Sequence, residues 1–527
     1  MPVTSGRSYP ALPGKIRSIL AARGLSLAEV SRSSRLLASG NRLHHIPHNF
    51  YSAFRNRLFS PSIYQVLALS VISGYRLVDW LTVFGFSLDE VPRFQASLPA
   101  LRTVELDARV YQGSSSIPWF DEIKEPDLST PLVPLSRWLM SGIPRRMDFL
   151  SYAAGPEYRY LKIGSQDAFA FPELLPGSIV RVNRLLNAFK GIPVRKNPGK
   201  RLFLVEHSGG MTCSRLFRPE PKKVVLCSRH LPYAQVELEQ ETEAVVSGAA
   251  DLEIRPLGGG EKPVVPARLG RFWIPAPFTR PSQVRNVGEF IRRARKVSGL
   301  SFREASARTR LIARKLGDSR YYCAAASLSD CETRELPPRH IHKLISICAT
   351  YFASAAGFLE AAGAGLDRAG KLPMPAEFLG LPVGDVRSVS KPSYFLSEME
   401  RRFGELPYFL HNSLSSQFGL KEISVRDVFW TGGIPEVVDP CLAGAVFLVV
   451  DRKRKIPRPA LSCPKWAQPI YVLQQRDGSY LCGYCTLQNG TLILRSCFAP
   501  MPKLQRLRNR VDAEVVGKVV GIARRLK

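Results

Sequence analysis

The side chains best suited to chemistry in this sequence are cations and hydroxyls that occur twice at one spacing. A pattern between Ile16 and Leu36 returns between Ile291 and Leu311, always 275 residues later (291 − 16). A repeat of this length indicates a duplicated multidomain module rather than a solenoid. The matched positions are Arg17 with Arg292, Ser26 with Ser301, Glu29 with Glu304, Ser31 with Ser306, and Arg35 with Arg310.

Positive charge is concentrated around both copies of this pattern. Lys and Arg number 74 against 44 acidic residues, a net charge of +30. Residues 15–57 hold eight cations and one acid, and residues 285–320 hold eleven cations and three acids. A surplus of this size favours a polyanionic partner, and DNA, RNA and an anionic membrane surface all qualify.

The membrane alternative is the weakest of the three. No apolar run approaches the ~18–20 residues needed to span a bilayer, and the N-terminus lacks the apolar core of a signal peptide. We therefore expect a cytoplasmic, nucleoid-associated protein with no membrane partner. Ten cysteines scattered over 527 residues favour reduced thiols over a disulfide framework.

Two groups of side chains raise the alternative of a bound metal. His44, His45 and His48 lie close together, but no Cys or acidic partner is near them in sequence. Cys482-x-x-Cys485 is flanked by Cys463 and Cys497, yet a lone C-x-x-C is a weak zinc signal. Residues three apart in a strand point to opposite faces, which favours small core residues. We expect neither a metal nor a cofactor.

The apolar spacing predicts helices at the start of each copy. Leu77, Trp80 and Leu81 follow the i, i+3, i+4 pattern of one helical face. Ser26 followed by Glu29 predicts a capping box at the start of a second helix, and Ser301 with Glu304 predicts its counterpart. Each copy therefore begins with a small helical bundle.

Beyond each bundle the apolar pattern becomes typical of strands. Residues 179–182 and 202–205 in the first copy, and 446–450 and 470–473 in the second, are bounded by glycine turns. The expected fold is multidomain α+β, with two all-α bundles alternating with two mostly-β domains. The predicted boundaries are 12–92 (helical), 93–134 (linker), 135–257 (β), 258–283 (linker), 284–370 (helical), 371–400 (linker) and 401–527 (β).

The bundles resemble the helix-turn-helix domains of the Xre/Cro family. The first copy carries the family pattern as Gly24-Leu25-Ser26, Tyr51-Ser52-Ala53-Phe54-Arg55 and Pro61. The second carries it as Gly299-Leu300-Ser301, Leu328-Ser329-Asp330-Cys331-Glu332 and Pro337-Pro338. Two departures stand out. Residues 36–45 and 311–322 are longer than the usual turn before the recognition helix, and Arg55 replaces the customary Glu, exchanging a structural carboxylate for a phosphate contact.

This resemblance, together with the charge, implies a DNA-binding surface in each copy. Polar groups on the recognition helix read base edges, whereas cations and helix N-termini contact phosphates. A solvated helix face is the alternative for each single arginine, and a purely structural third helix is the alternative for the second copy. The expected phosphate contacts are Ser26, Arg32, Arg35, Arg55, Ser301, Arg308, Arg310, Arg314 and Lys315. The expected base-reading residues are His48, Asn49, Ser52, Ser327 and Ser329.

The β domains resemble the C-terminal domains of LexA and phage repressors. That family uses a serine nucleophile and a lysine base, and without the lysine the hydroxyl stays weakly nucleophilic. Gly164-Ser165-Gln166-Asp167 and Thr212-Cys213-Ser214-Arg215-Leu216 correspond to the two segments, so Gln166 and Ser214 stand at the catalytic positions. The second copy reads Gly432-Gly433-Ile434-Pro435 and Leu481-Cys482-Gly483. We therefore expect no enzyme, with dimerisation as the remaining role.

The sequence as a whole predicts a sequence-specific bacterial transcription regulator that binds double-stranded DNA. Two joined reading heads would form an intrachain pseudo-dimer that engages two half-sites. Three alternatives stay open. They are an architectural protein that binds DNA mainly through charge, a homodimer through the LexA-like domains, and a self-cleaving repressor that uses Ser165.

Overall fold

The computed structural model is a mixed α+β protein with antiparallel strands. It describes residues 12–39, 42–54, 59–86, 88, 90–107, 133–134, 158–171, 173–186, 199–228, 235–256, 286–333, 338–363, 369–379, 428–430, 445–451, 454–457, 469–476, 480–495 and 504–526. The chain divides into two compact units. The helical unit comprises Met1–Gln95, Arg109–Ile117 and Arg280–Val389, and the β unit comprises Ala96–Ala108, Pro118–Thr279 and Ser390–Lys527.

The described helices come in two series. The first is α1 (Leu12–Ala21), α2 (Leu27–Leu37), α3 (Phe50–Ala53), α4 (Ile63–Ser73), α5 (Leu77–Val83) and α6 (Glu90–Ser97). The second is α7 (Val287–Ser298), α8 (Phe302–Leu316), α9 (Ala325–Thr333), α10 (Ile341–Tyr351), α11 (Ala355–Ala361) and α12 (Ala376–Leu379). Short 3-10 turns at Arg42–His44 and Ser319–Tyr321 precede α3 and α9.

Local sequence explains where several of these helices begin and end. The predicted capping boxes are confirmed at Ser26 for α2 and at Ser301 for α8, and Ser62 forms a third one at α4. A capping box satisfies amide groups that a helix start otherwise leaves unpaired. Gly74 ends α4 in the left-handed conformation, with φ of 75°, which glycine adopts without steric cost.

Within the helical unit, the two series pair about an internal two-fold axis. Ser62 and His340, the N-cap residues of α4 and α10, form an antiparallel bridge with each other. Two nearby contacts repeat this relation between the two series. Tyr64 of the first series donates a hydrogen bond to the Ala362 carbonyl of the second, and His342 of the second packs edge-on against Phe86 of the first. A self-complementary contact of this kind is the signature of two-fold symmetry.

Each series also extends an arm onto the other series. The Gln95 side-chain amide donates to the carbonyls of Cys348 and Ala353 at 3.1 and 3.0 Å. In return, the Met374 N–H donates to the Asp79 carboxylate at 2.9 Å. These arms include α6 and α12, so helix continues to Ser97 and Leu379, beyond the predicted bundle ends at 92 and 370. Tertiary contacts therefore stabilise helix in these two arms, for which the local Pro/Gly-bearing composition alone predicts a linker.

The described strands form one sixteen-stranded antiparallel sheet. Its order is β15-β14-β13-β12-β16-β9-β5-β6-β7-β8, with the other strands joined at its sides. The first series is β1 (Val104–Glu105), β2 (Val133–Pro134), β3 (Tyr158–Lys162), β4 (Ile179–Asn183), β5 (Leu202–His207), β6 (Gly210–Phe217), β7 (Lys223–Cys227), β8 (Gln235–Glu239) and β9 (Ala244–Pro256). The second is β10 (Val428–Trp430), β11 (Ala445–Asp451), β12 (Ile470–Gln475), β13 (Tyr480–Gln488), β14 (Thr491–Arg495), β15 (Leu504–Arg508) and β16 (Ala513–Arg525).

The long strands β9 and β16 join the two halves of the β unit. They pair antiparallel from Gly521↔Pro256 to Arg525↔Leu252, so Ile254 lies opposite Ala523. These two residues are also equivalent in the repeat, because each lies ten positions after the start of its strand. The internal two-fold axis of the sheet therefore passes through this pair. Both strands also carry a register shift at a glycine, Gly248 in β9 and Gly517 in β16.

No single described helix is long and apolar enough to cross a membrane. Ile341–Tyr351 and Ala355–Ala361 pass a test of length and composition only as a pair bent by 119°.

Candidate nucleic-acid interface

The N-termini of α2 and α8 are closed by capping boxes. The Ser26 N–H donates to Glu29 Oε2 at 2.7 Å, and the Glu29 N–H donates to Ser26 Oγ at 3.2 Å. Ser301 and Glu304 repeat both bonds at 2.8 and 3.3 Å. These bonds lower the pKa of both carboxyls, so the carboxylates stay ionised there. Both serines therefore cap their helices, with a carboxylate beside each helix start, and their contact with a phosphate stays a prediction.

A hydroxyl in each copy ties the second helix to the segment that follows it. Ser34 Oγ donates to the Ser31 carbonyl and accepts from the Ile46 N–H at 3.0 Å. Thr309, 275 residues later (309 − 34), donates to the Ser306 carbonyl and accepts from the Cys323 N–H, also at 3.0 Å. The long connection before the third helix is thus held in the same way in both copies, with a 3-10 turn inside it.

The third helix of the second copy, α9, is anchored by an ion pair. Arg295 on α7 donates to both carboxylate oxygens of Glu332, from Nε at 2.6 Å and from Nη2 at 3.0 Å. The Glu332 side chain is only 3% exposed, and its carbonyl accepts from Arg292 Nη2 at 2.9 Å. The hydrogen bond to Glu332 is the largest cause of the raised pKa of Arg295. Glu332 therefore has a structural role.

The first copy anchors its third helix, α3, with aromatic rings instead. Leu20 stands at the position equivalent to Arg295 and is fully buried. Phe50 of α3 and Phe54, the C-cap of α3, pack edge-on against each other with centroids 5.0 Å apart, and Phe54 stacks on Phe84 at 5.3 Å. The first copy thus lacks both charges of the pair, since Arg55 stands where the pattern has Glu. Arg55 itself lies outside the described residues.

Four of the predicted phosphate-contacting arginines are exposed, and one of these four is also held by a neighbouring ring. Arg32 and Arg35 are exposed on α2, and Arg314 is exposed on α8. Arg310 is also exposed, and its Nη2 donates to the Tyr322 hydroxyl at 3.1 Å while its Cζ lies 5.0 Å from the ring centroid. A guanidinium held on an aromatic face keeps its remaining N–H donors available.

Two other predicted cations are less accessible to a phosphate. Arg308 is partly buried, its Nη1 has no hydrogen-bond partner, and burial lowers its pKa. Lys315 is exposed, but its Nζ lies 5.5 Å from the centroid of Phe94, on the arm of the first series. Among the predicted cations in the described residues, Arg32, Arg35, Arg310 and Arg314 are therefore the most accessible.

The predicted base-reading residues differ between the copies. His48 and Asn49 are exposed in the turn that precedes α3, rather than on the helix as predicted. Ser52 is exposed on α3, and its hydroxyl donates to the Asn49 carbonyl at 2.8 Å. Ser327 and Ser329 on α9 are only partly exposed. The first copy therefore presents the more accessible polar face.

Residues 164–167 and 212–216 of the first copy meet at a buried carboxylate. Asp167 accepts hydrogen bonds from the Thr212 hydroxyl at 2.8 Å and from the Cys213 N–H at 3.4 Å. Burial raises its pKa despite these bonds. Neighbouring Gln166 is exposed, and the Ser214 hydroxyl accepts from the Cys227 N–H at 3.1 Å. Residues 432–435 of the second copy lie outside the described residues.

The candidate metal-binding side chains have other partners. His44 Nδ1 lies 3.2 Å from the Tyr64 carbonyl, and His45 Nδ1 lies 3.5 Å from Ser34 Oγ. Cys482 and Cys485 are both buried, and burial raises the pKa of Cys485 to about 12. Within the described residues, no three His, Cys, Asp or Glu side chains are grouped to hold a metal. Cys463 and Cys497 lie outside them.

Sequence reasoning missed two features that position the interface. The Ser34 and Thr309 hydroxyls were detectable, because they share the 275-residue spacing as hydroxyl residues. No comparable pattern in the sequence predicts that each helical series extends an arm onto the other. This exchange depends on contacts such as Gln95 to Cys348, which are far apart in the chain.

Comparisons with known proteins give little further information. No protein-family model matches the chain, and no curated protein matches it. A search of solved structures found Streptomyces albus HEPD with substrate 2-hydroxyethylphosphonate and Fe(II) bound. That structure is 12% identical over 98% of this chain and 93% of its own, with a TM-score of 0.12. A TM-score this low supports no argument about fold or function.

Proposed function

We propose that the protein is a sequence-specific DNA-binding transcription regulator in which one chain acts as a two-headed reader. The observation that carries this proposal is the two-fold pairing of the helical series through Ser62 and His340. Two-fold DNA-binding units match the two-fold symmetry of duplex half-sites. In this chain both halves of such a unit are covalently joined, so no association between chains is needed to form it.

The placement of charge supports DNA as the partner. Arg32 and Arg35 of α2, and Arg310 and Arg314 of α8, are exposed, and Arg35 and Arg310 are equivalent in the repeat (310 − 35 = 275). Each arginine that neutralises a phosphate releases a condensed counterion, so affinity falls as salt rises. In the proposed complex these four side chains fix the position of the chain on the duplex.

In this proposal, residues of the first helical series make most of the contacts with the bases. Asn49 and Ser52 are exposed side by side, and an Asn amide can bond adenine through two hydrogen bonds in the major groove. Ser327 and Ser329 are partly buried, so the second half contributes less. The proposed operator is therefore asymmetric, with one strongly and one weakly specified half-site.

The β domains are assigned a structural role in this proposal. In the first LexA-like domain the position of the serine nucleophile holds Gln166, and the position of the lysine base holds Ser214. The β9 and β16 strands pair within the chain, which gives the β unit the same internal two-fold relation as the helical unit. We propose that these domains hold two reading heads in one chain and do not cleave it.

Selection of bound duplexes from random DNA tests the proposal. Enrichment of one asymmetric sequence is expected. Asn49→Ala with Ser52→Ala should relax the preference in one half-site only. Arg310→Ala with Arg314→Ala should weaken all sequences alike and lower the salt slope by about 1 for each lost contact. Equal affinity for every sequence, with a steep salt dependence, would instead favour the architectural alternative.

A further inference from the structure

Among the strands that the structure describes, β8 and β15 lie at the two ends of the sheet and are equivalent edge strands. β8 and β15 are both five residues long, and β15 follows β8 by 269 residues (504 − 235). On the inner face, Leu238 and Leu507 occupy the same position in the two hydrophobic cores. The turns that follow also match, because Glu241 and Arg510 both have positive φ, of 73° and 63°. The repeat has thus preserved the backbone of both edges.

The charges on these two edges are reversed. Glu237, Glu239 and Glu241 on the β8 side correspond to Arg506, Arg508 and Arg510 on the β15 side, and all six are exposed. The next acid is retained in both copies, and it has a structural role. Glu243 Oε2 accepts from the Glu239 N–H at 2.9 Å, and Asp512 Oδ2 accepts from the Arg508 N–H at 2.8 Å.

Local partners reduce these charges without cancelling them. Lys223 Nζ lies 2.9 Å from Glu237 Oε1, but the Glu237 side chain remains 54% exposed. Asp512 Oδ1 lies 2.9 Å from Arg508 Nη2, and the Arg508 side chain remains 71% exposed. The bond with Arg508 lowers the pKa of Asp512 to about 2. One edge therefore stays acidic and the other basic at neutral pH.

Each edge also has backbone groups that point out of the sheet. The Gln240 N–H donates inward to the Lys222 carbonyl at 2.8 Å, and the Asn509 N–H donates inward to the Gly490 carbonyl at 2.9 Å. Backbone groups alternate sides along a strand, so those of Glu237 and Arg506 point outward. An edge of this kind can pair with a strand of another chain.

We propose that the acidic edge β8 of one molecule binds the basic edge β15 of a second copy of this chain. Antiparallel pairing sets glutamates against arginines, because the charges have the same two-residue spacing on both edges. Pairing of two acidic edges or of two basic edges brings like charges together and is disfavoured. The contact is heterologous, so copies associate head to tail. This inference does not depend on the proposed DNA binding.

Charge-reversal variants of the full chain test this association by sedimentation velocity over a range of protein concentrations. The natural chain should sediment faster as its concentration rises. E237R/E239R makes both edges basic and R506E/R508E makes both acidic, so each alone should associate at least about tenfold more weakly. A mixture of the two variants should associate again, and so should the chain that carries all four substitutions.

A matched control separates edge pairing from a general effect of net charge. K200E/R201E changes the net charge as much as R506E/R508E, and both residues are exposed just before β5, which is not an edge strand. This variant should associate like the natural chain. Circular dichroism melts establish that each variant is folded, and R506E alone provides a milder version that leaves Arg508 and Asp512 in contact. The inference is overturned if the natural chain stays monomeric, or if the mixed reversed variants fail to associate.

Discussion

The ion pair between Arg295 and Glu332 gives a quantitative prediction about how the third helix of the second copy is held. Glu332 is 3% exposed and Arg295 is 19% exposed, and two hydrogen bonds of 2.6 and 3.0 Å join them. Removing one partner of such a buried pair leaves a desolvated charge without compensation. We expect Arg295→Leu to lower the free energy of unfolding of the helical unit by about 3 kcal/mol.

The double variant Arg295→Leu/Glu332→Leu should be much less destabilised than this. It removes both charges, and the first copy already has Leu20 at the equivalent position. Replacing a buried pair with apolar side chains is often close to neutral, so we expect a loss of about 1 kcal/mol. The coupling energy between the two sites should then be about 2 kcal/mol or more.

Urea denaturation of the natural chain, Arg295→Leu, Glu332→Leu and the double variant measures the coupling energy. Amide hydrogen exchange shows which helices lose stability in each variant. The amides of α9 should exchange faster in Arg295→Leu than in the double variant, while the amides of α3 should not change. Additive effects of the two substitutions would refute the assignment of the pair as the anchor of α9. Equal changes in α3 and α9 would do the same, because the first copy uses aromatic packing instead.

Two further predictions concern the elements that α2 and α8 share. Thr309→Val removes the hydroxyl that bonds the Cys323 N–H, and should lower the free energy of unfolding by about 1–3 kcal/mol; Ser34→Ala should act likewise in the first copy, and unchanged thermal melts in both would contradict this role. The pKa of Glu304 is lowered from 4.5 by its bonds to Ser301, so its stabilisation is present above that pH and is lost as pH falls through the lower folded value. The difference in melting temperature between the natural chain and Glu304→Gln should therefore shrink from pH 6 to about pH 3, and a difference that grows on acidification would contradict the capping assignment.

The sequence predicted the local features well because each depends on nearby residues. Ser26 and Glu29 are three residues apart, and this spacing is sufficient to specify a capping box. The burial of Cys482 and Cys485 likewise follows from their places in a strand. Pairing between distant segments could not be predicted in this way.

The pairing of β9 with β16 illustrates the limit. Both strands contain a repeated glycine at the register shift, yet no local sequence pattern indicates that the ends of the two strands pair with each other. The sequence predicts His48 and Asn49 on the third helix, but this helix is only the four residues Phe50–Ala53, and aromatic packing holds it in place. Tertiary contacts decided both outcomes.

The most direct test of the central claim is the footprint of one chain on its selected duplex. Hydroxyl-radical cleavage at nanomolar protein, combined with a measured stoichiometry, reports how many chains bind and where. We predict one chain per duplex and two protected patches about one helical turn, 10–10.5 base pairs, apart. Binding that requires two chains would contradict a two-headed reader. So would protection spread evenly along the duplex for every sequence tested.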